Sequence, residues 1–313
     1  MMHVVPYIAA YIGLTAFLVA VIVRIRMWLK MPIHVRWELY PVAHEPGKAH
    51  YGGSYLEDGE WWNKGRKVSL WGEIKAMVPE ILFLVALKEN NPALWKRSFP
   101  FHFGLYLVTA ATLVMMGNGL LGLLVPALFN DPTVAAVIQY LVVGLGAAGL
   151  ALSLLGALGL LQRRLGDPDL VDFTTKADVF NLIFFVVAFG TAIFTFIIVD
   201  RDFTRVSAFV ANLVAFNPTP LPGSGMEQML PTVTAALMSA LVAYIPLTHM
   251  SHFIGKYFAY HAIRWNDTPN LPGGKQEKEI QKVLGQKVTW AAPHIDGKGE
   301  KSWVDLATEE FKK

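Results

Sequence analysis

Five long stretches without charge constrain this chain more than any other feature. They run over about 4–23, 101–129, 134–161, 179–199 and 229–255. A run of about 18 or more apolar residues is long enough to cross the roughly 30 Å hydrocarbon core of a bilayer as a helix. The expected fold class is therefore an all-α membrane protein with five transmembrane helices. A sixth apolar piece, from Val78 to Leu87, has ten residues and includes Glu80. It is too short to span and is expected to lie at the interface or to face a partner.

The distribution of positive charge orients the spans. Twelve Lys and Arg fall between Arg24 and Arg97, three between Arg163 and Lys176, and ten from Lys256 onward. The alternate connections hold only Arg201 and Arg205. Short loops rich in Lys and Arg stay cytoplasmic, so the N-terminus is expected outside and the C-terminus in the cytoplasm. The first run lacks a positively charged lead and a small-residue cleavage site, and reads as a retained helix rather than a signal. Four regions follow: a first transmembrane helix (1–30), a cytoplasmic docking or interfacial segment (31–97), a four-helix membrane core (98–260) and a cytoplasmic tail (261–313). The basic stretches are broken by acids and carry no nucleic-acid motif, so they are assigned to topology and docking. The chain has no cysteine, hence no disulfide, thiolate zinc site or iron–sulfur cluster of its own. Any iron–sulfur cluster acting with it would belong to another subunit.

Local signals place the ends and faces of the spans. The second is expected to start after Arg97, with Pro100 in its first turn. The third is rich in small residues (Gly144, Gly146, Gly149, Gly156 and Gly159), which either pack tightly against a neighbour or leave room for a flat macrocycle. Thr174 or Thr175 can cap the fourth. The outer loop to Pro231 carries Asn217-Pro218-Thr219-Pro220-Leu221-Pro222-Gly223, a bent segment with little regular structure that reads as a plain connector or as a lid over a quinone entrance. The fifth span is expected to continue to about Tyr260. The hydrophilic tail is expected to order only against a partner.

Histidine is where chemistry concentrates. Ionisable side chains at spanning helices are costly and commonly functional. His102 opens the second long run, and His249 and His252 close the last. His102 and His252 are expected at the same, cytoplasmic, depth, where two neutral imidazoles could clamp a haem iron from both sides. The bland alternative is a structural role for each. His249 precedes His252 by one turn, about 4.5 Å along a helix, too little for a second haem layer. It reads as an alternative ligand or as a group beside a haem propionate or a quinone. His34, His44 and His50 read as polar loop residues, and His261 and His294 as surface residues. His3 reads as bland or as a quinol proton acceptor.

These pieces together resemble a known family. Phe101-His102-Phe103-Gly104, then Leu161-Gln162-Arg163-Arg164-Leu165, then Thr174-Thr175-Lys176-Ala177-Asp178, then Ile245-Pro246-Leu247-Thr248-His249-Met250-Ser251-His252 are similar in order and placement to the gamma (NarI) subunit family of respiratory nitrate reductase. Arg36-Trp37-Glu38-Leu39-Tyr40-Pro41 with Tyr51-Gly52-Gly53-Ser54-Tyr55 is closer to the DsrM, HmcE and TmcC type of sulfate-reducer redox complexes. The resemblance implies a cytochrome b bundle in a prokaryotic cytoplasmic membrane. It implies a haem b held by His102 and His252, and menaquinone as electron partner. It also implies a cytoplasmic iron–sulfur subunit of the heterodisulfide-reductase-like kind, with further membrane or periplasmic cytochrome subunits. The chain would be the quinone-reactive part of an oxidoreductase and not catalytic alone. Family members with two haems place a second histidine pair where this chain has Thr112 and Thr234, which implies that the outer haem is lost and one remains. His249 stands where the family often has arginine. A reading from another class is a membrane anchor or assembly subunit with a structural haem or none.

Overall fold

The computed structural model describes residues 4–31, 41–47, 53–65, 67–220, 223–292 and 295–310. His3, His34, His50 and His294, the motif residues 36–40 with Tyr51 and Gly52, and Leu221 and Pro222 lie outside the described residues. In chain order the helices are α1 (Val5–Leu29), α2 (Leu70–Phe83), α3 (Val85–Asn90), α4 (Pro92–Leu124), α5 (Pro126–Phe129), α6 (Pro132–Gly166) and α7 (Pro168–Val171). Then come α8 (Lys176–Ile198), α9 (Thr204–Val214), α10 (Met226–Tyr244), α11 (His252–Phe258), α12 (Lys275–Leu284) and α13 (Trp303–Thr308). The strands β1 (Ala291–Ala292) and β2 (Ile295–Asp296) form one short antiparallel hairpin. Five helices, α1, α4, α6, α8 and α10 with its continuation to Leu247, are long and apolar enough to cross a membrane. The fold is an all-α membrane bundle.

The chain divides into two compact units. The first comprises Met1–Ala20 and Met77–Met250, the second Val21–Ala76 and Ser251–Lys313.

In the first unit, small residues let α4 and α6 touch backbone to backbone. A Cβ added at Gly149 would lie 2.7 Å from the Val108 nitrogen, and one at Gly156 would collide with the Phe101 backbone. On the α4 side, Gly104 faces the Gly149 carbonyl at 2.8 Å from such a Cβ. Of the two roles open to these glycines, close helix approach is the one seen here. Phe101 meets Phe185 of α8 edge to face at 4.9 Å, and the Tyr244 hydroxyl of α10 donates to Asn181 Oδ1 of α8 at 2.8 Å. Helix α1 joins through Gly13, whose added Cβ would lie 2.6 Å from the Ser239 carbonyl of α10. Leu113, Leu120, Leu155 and Phe194 remain exposed on the outside of the bundle, as expected where lipid rather than water is the solvent.

Several local expectations are corrected. Helix α4 starts before Arg97, already at Pro92, because Asn91 Oδ1 accepts the Leu94 N–H at 3.0 Å and Pro92 occupies the first turn. Pro100 therefore sits inside the helix rather than at its start. The loop after Asp200 contains a helix, α9, whose apolar Val206, Phe209, Val210 and Leu213 recur at helical spacing. Its first N–H groups are satisfied from outside, since the Asp200 carboxylate accepts from Arg205 N at 2.9 Å and Val206 N at 3.0 Å. Its far end is held by α1: Tyr11 donates to the Leu213 carbonyl at 2.7 Å and Tyr7 to the Thr219 carbonyl at 3.0 Å. The Val78–Leu87 piece is split, with Leu84 in the left-handed region (φ 52°) between α2 and α3, and Glu80 Oε2 capping Ala86 N at 2.8 Å. Thr175, of the two candidates, caps α8 in a reciprocal box with Asp178.

The second unit contains Trp28, whose ring packs on Phe258 at 5.4 Å and closely on Gly255. The tail carries structure of its own. Helix α13 begins at Ser302, capped reciprocally by Asp305, and Val288 is buried and paired to Lys301 by a 2.9 Å backbone bond. Trp290 and Trp303 meet edge to face at 6.4 Å.

Candidate functional site

His102 lies in the third turn of α4. The carbonyl of Ser98, one turn earlier, lies 2.8 Å from His102 Nδ1. A carbonyl only accepts, so Nδ1 carries the proton and the neutral ring has its lone pair on Nε2. The Ser98 hydroxyl lies 3.2 Å from the same nitrogen, and the Phe101 ring stands edge-on to the imidazole at 5.3 Å. A fixed tautomer with the distal nitrogen basic is the state that an axial imidazole ligand needs, so His102 fits a haem iron.

The other two histidines lie on a break rather than on a continuous helix end. Helix α10 stops at Tyr244, and Pro246 has no N–H to continue it. A short 3₁₀ turn covers Ile245–Leu247, Thr248 is extended, and a second 3₁₀ turn covers His249–Ser251 before α11 starts at His252. One-turn spacing on a common face therefore does not describe His249 and His252, both of which are exposed. His102 and His249 belong to the first unit and His252 to the second.

Thr112 and Thr234 are brought to the wall of one chamber inside the first unit. Its volume is about 250 Å³. All five spans contribute to it, and α9 lies across it with Phe209 and Val210 facing in. At one end stand Asp200 and Arg205; Phe203, held at φ 58°, packs its ring on Gly146. Burial pushes the Asp200 carboxyl up, against the pull of the Arg205 and Val206 N–H groups. The chamber's polar atoms are few and internally bonded. Thr112 donates to Val108 O at 2.9 Å, Thr195 lies 2.9 Å from Thr191 O and 2.7 Å from the Thr234 hydroxyl, and Ser239 donates to Ala235 O at 2.6 Å. Among the described residues no imidazole lines it. A haem does not fit this donor set, in contrast to the surroundings of His102.

A second constellation was invisible in the sequence. In the second unit, His44 Nε2 donates to Asp267 Oδ2 at 2.7 Å, and both side chains are buried. His44 Nδ1 lies 4.0 Å from Glu73 Oε1 and His261 Nε2 lies 3.5 Å from Glu73 Oε2. The Tyr257 carbonyl takes the His261 Nδ1 proton at 3.0 Å. The remaining nitrogen therefore attracts Glu73 only when a further proton sits on the imidazole or on the carboxyl. His261 lies on a π-helical turn, Ala259–Arg264, and the Trp265 ring stands edge-on to His44 at 6.3 Å. His44 and His261, read as a loop and a surface residue, are thus joined through one glutamate. They lie more than 200 residues apart, and no local spacing signals the meeting. Among the described residues no group of three or more His, Cys, Asp or Glu is arranged to hold a metal ion.

The profile of the family described as nitrate reductase gamma subunit matches residues 88–266, more than half of the chain and all of α4 through α11. No curated protein and no solved structure gives a match.

Proposed function

Since this chain belongs to the nitrate reductase gamma subunit family, membrane subunits of respiratory oxidoreductases, we propose that it is a multi-pass cytochrome b subunit carrying one b haem between His102 and His252. It exchanges electrons between the menaquinone pool and a cytoplasmic iron–sulfur subunit of the heterodisulfide-reductase-like kind, as in the DsrM, HmcE and TmcC type. The N-terminus is outside and the His102 end of the bundle faces the cytoplasm, in line with the Lys and Arg distribution.

The observation that carries this reading is the tautomer of His102, fixed by Ser98 on a helix inside the matched segment. The haem, when bound, supplies one-electron transfer; its potential follows from axial ligation and burial. Ser98 orients the ring of His102 and makes its Nε2 the basic nitrogen. His249, on the 3₁₀ turn just before His252, is a proton or hydrogen-bond partner for a propionate or a quinone. The break at Pro246 sets the direction of both histidines independently of α10.

The deciding experiment is a haem count per chain on the purified complex, by reduced-minus-oxidised spectra and pyridine extraction. Wild type should give one b haem, and His102→Ala and His252→Ala should each lose it. Retention of the haem in either variant refutes the pairing, and a wild type without haem leaves the chain as a membrane anchor. For His249→Ala, haem content should stay and quinol oxidation should slow; unchanged quinol kinetics would remove His249 from the reading.

A further inference from the structure

The chamber behind Thr112 and Thr234 has a hydrogen-bond inventory that names its guest. Thr195 Oγ1 lies within bonding distance of the Thr191 carbonyl, which only accepts, so the Thr195 proton goes there. The one proton left for the 2.7 Å contact between the two threonines is that of Thr234. Thr112 and Ser239 spend theirs on the carbonyls one turn earlier. No hydroxyl proton is therefore aimed into the chamber. Asp200 is occupied with the first N–H groups of α9, and Arg205 is paired with Glu227 at 3.4 Å.

Four kinds of guest can be compared against that wall. A haem would require nitrogen ligands and cations for two propionates; among the described residues the wall offers neither imidazole nor a second cation. A quinone ring would require donors for both of its carbonyls; the hydroxyl protons are committed elsewhere, and Arg205 offers N–H groups only beside Asp200. Water would require two to four polar partners. A hydrocarbon chain requires none of these. Apolar cavities stay dry and take apolar guests, and an unfilled one forfeits packing in proportion to its volume. Met115, Met116 and Met238 line the chamber, and their unbranched thioethers can shape themselves to a flexible chain.

We propose that this chamber binds one long hydrocarbon chain of an amphiphile, either the acyl chain of a phospholipid or the isoprenoid tail of a quinone. The chain fills the space between α4, α8, α9 and α10, with its polar head toward the Asp200 end. The proposal is independent of the haem at His102 and stands or falls without it.

The test uses the full-length protein in vesicles of palmitoyl-oleoyl phosphatidylglycerol. In one arm they are doped with a phospholipid carrying a diazirine at its acyl terminus, in the other with menaquinone carrying a diazirine on its isoprenoid tail. After irradiation, adducts are mapped by peptide mass spectrometry and b haem is counted on the same sample. The expected result is labelling of Met116, Phe209 or Met238 beside that of lipid-facing Leu113 and Leu120. The productive arm identifies the source of the chain. Ala235→Phe, which fills the chamber from α10, should lower labelling of the chamber residues severalfold with Leu113 labelling and haem count unchanged. Labelling confined to Leu113 and Leu120 in both arms overturns the proposal, as does a second b haem per chain, or chamber labelling that Ala235→Phe leaves intact. If Ala235→Phe does not fold, competition of wild-type labelling by unlabelled lipid or menaquinone decides: the matching competitor abolishes it, and failure of both to compete overturns the proposal.

Discussion

The chamber in the first unit and the His44 cluster in the second solve the burial of polar atoms in opposite ways. In the chamber the hydroxyls of Thr112, Thr195 and Ser239 are satisfied by their own helices, through the carbonyl one turn back, and Thr234 alone donates across to another helix. In the cluster the polar side chains are satisfied by one another across three segments distant in sequence, around His44, Glu73, and His261 with Asp267. Self-satisfied hydroxyls carry little interhelical energy, so a wall made of them can lose or gain one cheaply. Mutually satisfied polar groups fix the segments that bear them, because removing one strands another in a buried place.

That contrast can be broken at four points. Asp267→Ala should have the largest effect, since it leaves His44 buried beside Glu73 alone; loss of one partner from a buried pair costs on the order of 3 kcal/mol. It should appear as early proteolysis of the second unit and a lower thermal midpoint. An unchanged midpoint would mean that the cluster holds nothing together.

Asp200→Asn comes next, because one of its two acceptor oxygens is replaced by an amide donor facing the N–H groups of α9; losing such a cap costs about 1 kcal/mol. Its signature is in the pH dependence. Burial holds the Asp200 carboxyl above the ordinary carboxylate value. A group raised in this way opposes folding while ionised, and the opposition is relieved as pH falls through its folded value. Wild type should therefore gain stability relative to Asp200→Asn on acidification from neutrality. A constant difference between the two across that range would contradict the burial argument.

The Thr195–Thr234 contact is smaller. A double-mutant cycle with Thr195→Val and Thr234→Val should return a coupling of about 0.6 kcal/mol, typical of interhelical hydrogen bonds in membrane bundles. A coupling several times larger would show that the hydroxyl pair holds α8 to α10. Smallest of all is Thr112→Val, which removes only a bond within α4. It should shift thermal stability by no more than about 0.5 kcal/mol, and a larger loss would put the hydroxyl in contact with something beyond its own helix.

The five spans were readable because length and lack of charge decide membrane crossing, and Thr175 because a capping residue must immediately precede its helix. Helix α9 was also written in the sequence, in Val206, Phe209, Val210 and Leu213, but only the proline-rich segment beyond it, from Asn217 on, stood out as a feature of that loop. Its N-terminal partner, Asp200, precedes it by several residues rather than standing at the usual capping position. The interruption near Pro246 was signalled by the proline itself, yet the apolar run through it suggested continuity. At the candidate site, His102, His249 and His252 stood out because imidazole is rare beside long apolar runs. The link from His44 through Glu73 to His261 had no such contrast, since each sits in a polar neighbourhood and only tertiary folding brings them together.

Helix α9 is tied down almost entirely by other elements: Asp200 beyond the end of α8 holds its first amides, and two tyrosines of α1 hold the carbonyls of Leu213 and Thr219. Eleven residues make a marginal helix in isolation. Deuterium uptake by the α9 amides should therefore remain slow only while α1 and α8 are docked. That short segment would serve as a built-in gauge of assembly, registering the arrival of the first span in the bundle before any cofactor reports on it.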